Sequence, residues 1–198
     1  MLTRKMAVVI ALTALILNCA PALGRAAGDQ QFALDPVHSS ATFTAVHWGI
    51  SHVSGTIPIQ SAQISVPEGS NIPSSITAAL EPKGVDTHND QRDNDLRSPH
   101  FFDVAQYPAM TFASTKITPV DATHFKIDGN LTMHGMAKPI ELDAEYTGRA
   151  NDSSNSVERI AYNAHGHIDR SQWNMTYGNP IVSYGIDVSL EVVADRKL

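Results

Sequence analysis

From Phe32 to Val193 the chain alternates apolar and polar residues with a period of two, and that alternation most narrows the folds open to it. The clearest stretch runs from Phe125 to Met133, with Phe125, Ile127, Leu131 and Met133 on one side and Lys126, Asp128, Asn130 and Thr132 on the other. Ile140, Leu142, Ala144 and Tyr146 alternate with Glu141, Asp143 and Glu145, and Ile186, Val188, Leu190 and Val192 share a face near the end of the chain. Phe43, Ala45 and His47 follow the same rule, as do Gly55, Ile57 and Ile59, then Ile76, Ala78 and Leu80, then Met110 and Phe112. Pro58 marks an edge position or a bulge, His134-Gly135 a turn, and Gly148 to Ser156 a polar loop. The pattern predicts eight or nine strands joined by short turns, without helical crossovers, so the sheet is antiparallel. Such a run closes into a sandwich or an up-and-down barrel. Small inward residues (Ala45, Gly55, Ala78, Ala144, Ala164, Gly166) leave space and favour an all-β barrel of about eight strands, which can hold one small ligand.

One stretch, Asp86 to Ser114, breaks the alternation. His88 to Leu96 is polar, Thr87 or Asn89 offers an N-cap, and Pro99 stops the segment soon afterwards. A single short helical insertion is expected, with Arg92, Asp93, Asp95 and Arg97 presenting opposite charges to one another. Phe101 and Phe102 follow at once, too apolar to be left in water together. Helix and aromatic pair read as a lid over the sheet's apolar face, and Tyr107-Pro108 leads back into a strand.

The chain opens with Arg4 and Lys5, the apolar run Met6 to Leu17, and then small residues at Ala20, Ala22, Gly24, Ala26 and Ala27. That is the order of a secretory signal peptide, and the 12-residue run is too short for a bilayer, which takes about 20. The expectation is a signal peptide over 1–24 with cleavage between 22 and 27, a periplasmic location, and one barrel domain over 28–198. Cys19 follows Asn18, where a lipoprotein acceptor would be preceded by a small residue, so ordinary cleavage is expected. The exported chain then has no cysteine and no disulfide. Its length suits one domain with a sizeable core. Without Arg4 and Lys5, 12 basic residues stand against 20 acidic ones, a net charge near −8. No basic patch exists, which argues against nucleic acid and anionic membrane surfaces as partners.

Catalytic groups are sparse. Asp90, Asp93 and Asp95 cluster beside Arg92 and Arg97 on a polar helix, where a solvated or locally paired face accounts for them. No G-x-S-x-G motif occurs, and no enzymatic activity is expected. Among nine histidines, His165-Gly166-His167 puts two imidazoles on one strand face, and His47 and His52 flank the Gly49 bend. Neither pair has a third ligand at telling spacing, so no metal site is assigned. His47 shares the inward parity of Phe43 and Ala45, and is either a satisfied core residue or a partner for a ligand head group near the barrel mouth. Trp173 either packs under a loop or caps one end of the interior, and Asp169 and Arg170 are expected to pin that corner by a charge-assisted hydrogen bond.

A set of motifs carries a family resemblance. They are F-x-L-D-P-V-H-S at Phe32 to Ser39, F-T-A-V-H at Phe43 to His47, G-I-S-H-V-S-G to Gly55, and V-D-T. R-D-x-D-L-R-S-P-x-F-F-D to Asp103, Y-P-A-M-T-F-x-S to Ser114, G-N-L-T-M-H-G-M-A-K-P-I at Gly129 to Ile140 and I-D-R-S-Q-W at Ile168 to Trp173 complete it. In this order the chain resembles the YceI-like family of exported, lipocalin-like proteins associated with polyisoprenoid binding, although Ile57 stands where the family usually carries an aromatic. The resemblance implies an antiparallel barrel with a helical insertion and an apolar tunnel for a polyprenyl chain, sometimes quinone-linked, or another amphiphile. The expected function is that of a carrier that sequesters such a lipid without chemistry and without a cofactor beyond the bound isoprenoid or isoprenoid quinone. The tunnel would be lined by Phe43, Ala45, His47, Ile57, Met110, Phe112, Ile127, Leu131, Met133 and Val188, with Trp173 at one end and His47 and the Arg92 to Arg97 helix near the polar head. The expected partners are the isoprenoid lipid, with no nucleic acid and no stable membrane insertion; homodimerisation stays open. Two alternatives stand beside it: a histidine-based metal-binding protein or enzyme on the same barrel, and a filled barrel acting through its surface.

Overall fold

A computed structural model describes residues 28–198. The expected signal peptide and Cys19 lie outside the described residues. Ten strands follow in order: β1 Gln30–Leu34, β2 Ser40–His47, β3 Ser51–Thr56, β4 Ile59–Val66, β5 Ser75–Leu80, β6 Met110–Pro119, β7 His124–Met133, β8 Met136–Asp152, β9 Val157–Asp169 and β10 Val182–Lys197. All pairings between them are antiparallel, and β1 pairs with β10 to close the ring.

The ten strands occupy eight barrel positions. β1 and β2 both lie against β10, at Ala33↔Asp195 and Val188↔Phe43 respectively, so together they form one bent strand. β3 and β4 likewise form one, pairing β2 and β1 in turn. Each bend carries a proline, Pro36 or Pro58, which removes a ladder donor. At the first bend Asp35 accepts from the Val37 and His38 main-chain N–H groups at 2.9 and 3.3 Å. Gly148 to Asp152 is not a loop: β8 continues through it to pair with β9. The segment reads as polar because this end of the hairpin exchanges ion pairs, Arg149 with Glu158 at 2.8 Å among them, instead of burying apolar side chains. His134 and Gly135, at φ 51° and 74°, make the tight turn between β7 and β8.

The insertion between β5 and β6 holds a 3₁₀ turn, Pro82–Gly84, and one α-helix, α1 Asp90–Arg97. The Asn89 side chain caps α1 by accepting from the Arg92 N–H at 2.9 Å, and Ser98 ends it. The helix charges do not pair with one another. Arg92 donates to Thr87 Oγ1 and its carbonyl at 2.7 and 2.8 Å, and Arg97 donates to the Lys83 and Val85 carbonyls at 2.7 and 2.8 Å. Asp93 is buried and accepts from the Thr87 N–H and hydroxyl. The segment feeding the helix has few sheet partners, so its carbonyls and amides need these side chains.

α1, the β2–β3 and β7–β8 turns and the 3₁₀ turn Arg170–Trp173 all sit at one end of the barrel, here the helical end. Two core clusters follow from this polarity. One, around Phe32, Phe125, Ile160 and Tyr162, fills the far end; the other, around Val85, Met133, Trp173 and Met175, packs the helical end.

Candidate functional site

Inward residues of both clusters line a cavity of about 230 Å³. Of the eleven residues expected at the site, Phe43, Ala45, Ile57, Met110, Phe112, Ile127, Leu131, Met133 and Val188 line it. Leu96, Phe101 and Phe102 line it as well, so the helix and the aromatic pair do cover the interior. Ala78, Ala144 and Ala164 also line it and leave room, as the alternation suggested. The glycines differ. A Cβ at Gly55 would lie 2.7 Å from Phe43 Cζ, one at Gly166 2.7 Å from Leu142 Cδ2, and Gly129 is covered by the Phe112 ring. Their missing side chains admit neighbouring ones, not a ligand.

Two expected residues are not on the wall. His47 is half-buried at the end of β2, paired with Ser51 and Val182, and its ring meets Trp48 edge-on at 6.0 Å. Trp173 is no cap. It is buried behind the wall in the helical-end core, its indole N–H donating to the Leu131 carbonyl at 3.2 Å, as a buried indole requires. Arg92 and Arg97 hold their own loop, as above, and neither lines the cavity.

Three polar residues reach the wall, and each turns its polar atoms to main-chain carbonyls. Thr42 Oγ1 donates to Ser189 at 3.2 Å, and the Tyr162 hydroxyl to Asn71 at 2.9 Å. Burial pushes the Tyr162 phenol well above its ordinary pKa. Arg170 donates from Nε to Ser183 at 2.9 Å, from Nη2 to Val182 at 3.0 Å and from Nη1 to Met175. Its guanidinium lies over the Phe101 and Tyr184 rings, 5.4 and 5.2 Å from their centroids. Burial draws Arg170 below its ordinary pKa, while Tyr184 and Asp169 oppose that shift. Asp169 is not its hydrogen-bond partner. The Asp169 carboxylate accepts from Ser171 Oγ and N–H at 2.6 and 2.9 Å, which holds it below its ordinary pKa. The cavity therefore presents an apolar surface alone.

Its two ends are unlike. At the far end Phe32 is buried completely under the guanidinium groups of Arg149 and Arg196, 5.5 and 5.7 Å from its ring centroid, and Glu158 binds both at 2.8 and 2.5 Å. That end is plugged. At the helical end lie all four methionines of the described residues, Met110, Met133, Met136 and Met175. Methionine is the side chain best able to repack around an incoming chain. No periodic signal marks Met175, Val182 or Arg170 as wall residues, because they come from a turn, a strand end and a 3₁₀ segment.

The histidine pairs do not converge. His165 and His167 are exposed on the outer face, His167 Nδ1 lying 2.7 Å from Asp187. His52 pairs across from Val46, not His47, so the two rings fall on opposite faces of the ribbon. Among the described residues no group of three or more His, Cys, Asp or Glu gathers in metal-binding geometry, and no helix is long and apolar enough to cross a membrane.

Fold and interior define a closed, eight-stranded, lipocalin-like antiparallel barrel with an apolar cavity. The YceI-like domain matches residues 32–195, and the chain belongs to that family. It is 34% identical over 142 residues to the UPF0312 protein VPA0850 of Vibrio parahaemolyticus, covering 71% of this chain and 74% of that one. A YCEI protein of Campylobacter jejuni shares the fold with a TM-score of 0.69 and 31% identity, over 77% of this chain and 90% of the other. A polyisoprenoid binding domain from Saccharophagus degradans, implicated in plant cell wall breakdown, is similar in fold at 14% identity and a TM-score of 0.58, over 83% of this chain and 97% of its own.

Proposed function

We propose that this protein takes the apolar chain of a polyisoprenoid lipid or isoprenoid quinone into its barrel, and carries or shields it without chemical change. The observation that carries this reading is the wall: an interior cavity whose few polar residues all turn their polar atoms away from it. The polyisoprenoid-binding description of the S. degradans barrel supports the same ligand class. On this reading the wall residues bind the apolar chain and exclude water from it.

Size limits what fits. An apolar cavity of about 150 Å³ takes up benzene, so about 230 Å³ corresponds to about nine carbons, roughly two isoprene units. At about 0.8 kcal/mol per buried methylene that is about 7 kcal/mol before the costs of association, below the roughly 8 kcal/mol of a micromolar complex. A long prenyl chain therefore needs further room, and the methionine-rich helical end is where repacking supplies it. With the far end plugged, we place the mouth at the helical end, under the Leu96, Phe101 and Phe102 cover.

Native mass spectrometry with lipid extraction, on protein purified from its own host, tests this. A co-purifying isoprenoid is expected; stoichiometric metal without lipid, or neither, would refute the reading. We also read Met6 to Leu17 as an export signal, with the mature protein acting in the periplasm. N-terminal sequencing should then find a start between Leu23 and Gly28, and Met1 or a lipid on Cys19 would overturn it.

A further inference from the structure

The helical end exposes apolar side chains in a cluster. Trp48 is 63% exposed and Ile50 86%, both in the β2–β3 turn; Tyr177 is 51% and Ile181 37% exposed, in the loop before β10. The two segments touch, the Trp48 N–H donating to the Ile181 carbonyl at 2.7 Å. The cluster is continuous with the cavity wall: Val182, next to Ile181, lines the cavity, and Tyr177 meets the wall residue Phe101 edge-on at 5.7 Å. Both segments are also free of charge. No Asp, Glu, Lys or Arg occurs from Pro36 to Pro67, nor from Ser171 to Ile186, in a chain that is 17% charged.

We propose that this uncharged lip docks reversibly on the interface of a neutral lipid bilayer, holding the cavity mouth against the membrane. Four features favour that occupant. Trp and Tyr side chains, apolar in body and polar at the tip, suit the headgroup level of a bilayer. Ile50 and Ile181, 86% and 37% exposed, supply the apolar side chains that a shallow insertion buries. The two lip segments carry none of the chain's acidic excess, the nearest carboxylate in contact being Asp95, 3.1 Å from the His100 ring that stacks on Tyr177. The exposed area of the four side chains is on the order of 500 Å², short of the roughly 800 Å² per partner of a stable protein interface. The choice of a membrane as the source of ligand rests on the isoprenoid reading above; the docking itself is measured separately.

The turn supplies a variant that spares the fold. Trp48 and Gly49 have φ values of 54° and 70°, a pair of left-handed positions that Asn-Gly fills best. Trp48→Asn with Ile50→Ser therefore strips the lip without threatening the hairpin. Phosphatidylcholine vesicles are titrated into the wild type and the double variant, following cosedimentation and tryptophan emission. Trp173 is 1% exposed and supplies a constant background. The wild type should cosediment and shift its emission to the blue, and the double variant should partition at least about tenfold more weakly, while retaining a preloaded fluorescent polyprenyl analogue in buffer as the wild type does. Equal partitioning of the two proteins, or wild-type emission unmoved by vesicles, overturns the proposal. So does a concentration-dependent dimer that the double variant abolishes while vesicles bind neither protein. If the wild type does not retain the analogue in buffer, the ligand reading fails, and the vesicle titration still decides the docking.

Discussion

Replacing Ala45 with phenylalanine separates an open cavity from a packed core. Ala45 is buried two residues before the end of β2, between Ile186 of β10 and Val53 of β3, and lines the cavity. The substitution adds a phenyl group, close to a benzene, which needs an apolar space of about 150 Å³. Roughly two-thirds of the 230 Å³ cavity would be taken. The ring enters space that is already empty, so the apo protein should lose less than the roughly 1–3 kcal/mol that overpacking costs in a filled interior. Ligand capacity should fall sharply, because what remains is smaller than a single isoprene unit's share. The assay is retention of a fluorescent polyprenyl analogue on gel filtration, with thermal unfolding of the same samples. Lys126→Ala is the control. Lys126 lies on the outer face of β7, 2.6 Å from Glu141 and 3.1 Å from Asp143, and its loss should change neither readout. Strong destabilisation of apo Ala45→Phe, together with a wild type that binds no analogue, would mean that the interior is full and the carrier reading wrong.

The lid aromatics should differ in weight. Phe101→Ala should cost about 3–5 kcal/mol, as for a buried ring, and Phe102→Ala clearly less because Phe102 is only half-buried; equal losses in melting temperature would contradict this packing. His165→Ala with His167→Ala should leave analogue retention and elemental metal content unchanged, since both rings lie on the outer face; loss of a bound metal together with retention would favour the histidine-centred alternative. Asp169 predicts an acid limb. Its folded pKa lies below the ordinary carboxylate value of 3.8 because Ser171 bonds the ionised form, so its contribution is complete above that value and disappears as pH falls through the lower folded one. Melting temperature against pH should show a weaker decline below about pH 4 in Asp169→Asn than in the wild type. Superimposable slopes would refute the assignment.

Period-two alternation alone assigned nine of the eleven proposed site residues to the wall, and it did so because a strand's side chains strictly alternate between faces. The helix limits were equally local: Asn89 caps and Ser98 terminates through hydrogen bonds spanning a few residues. Parity fails where a strand ends. His47 has the inward parity of Phe43 and Ala45, yet it sits beyond the cavity, and Trp173 lies behind the wall because a 3₁₀ turn follows no two-residue period. Composition misleads at glycines, since Gly55 and Gly166 give their space to Phe43 and Leu142. Partner choice for charges was beyond sequence as well. Arg92 and Arg97 found carbonyls in place of the neighbouring aspartates, and Arg170 found three carbonyls instead of Asp169. Opposite charges near in sequence attract only weakly in water, whereas an unpaired carbonyl in a buried segment is costly. Which carbonyls lack a sheet partner is known only once the strands have closed. The same closure set Trp48 beside Ile181 and so made two separate uncharged segments into one lip.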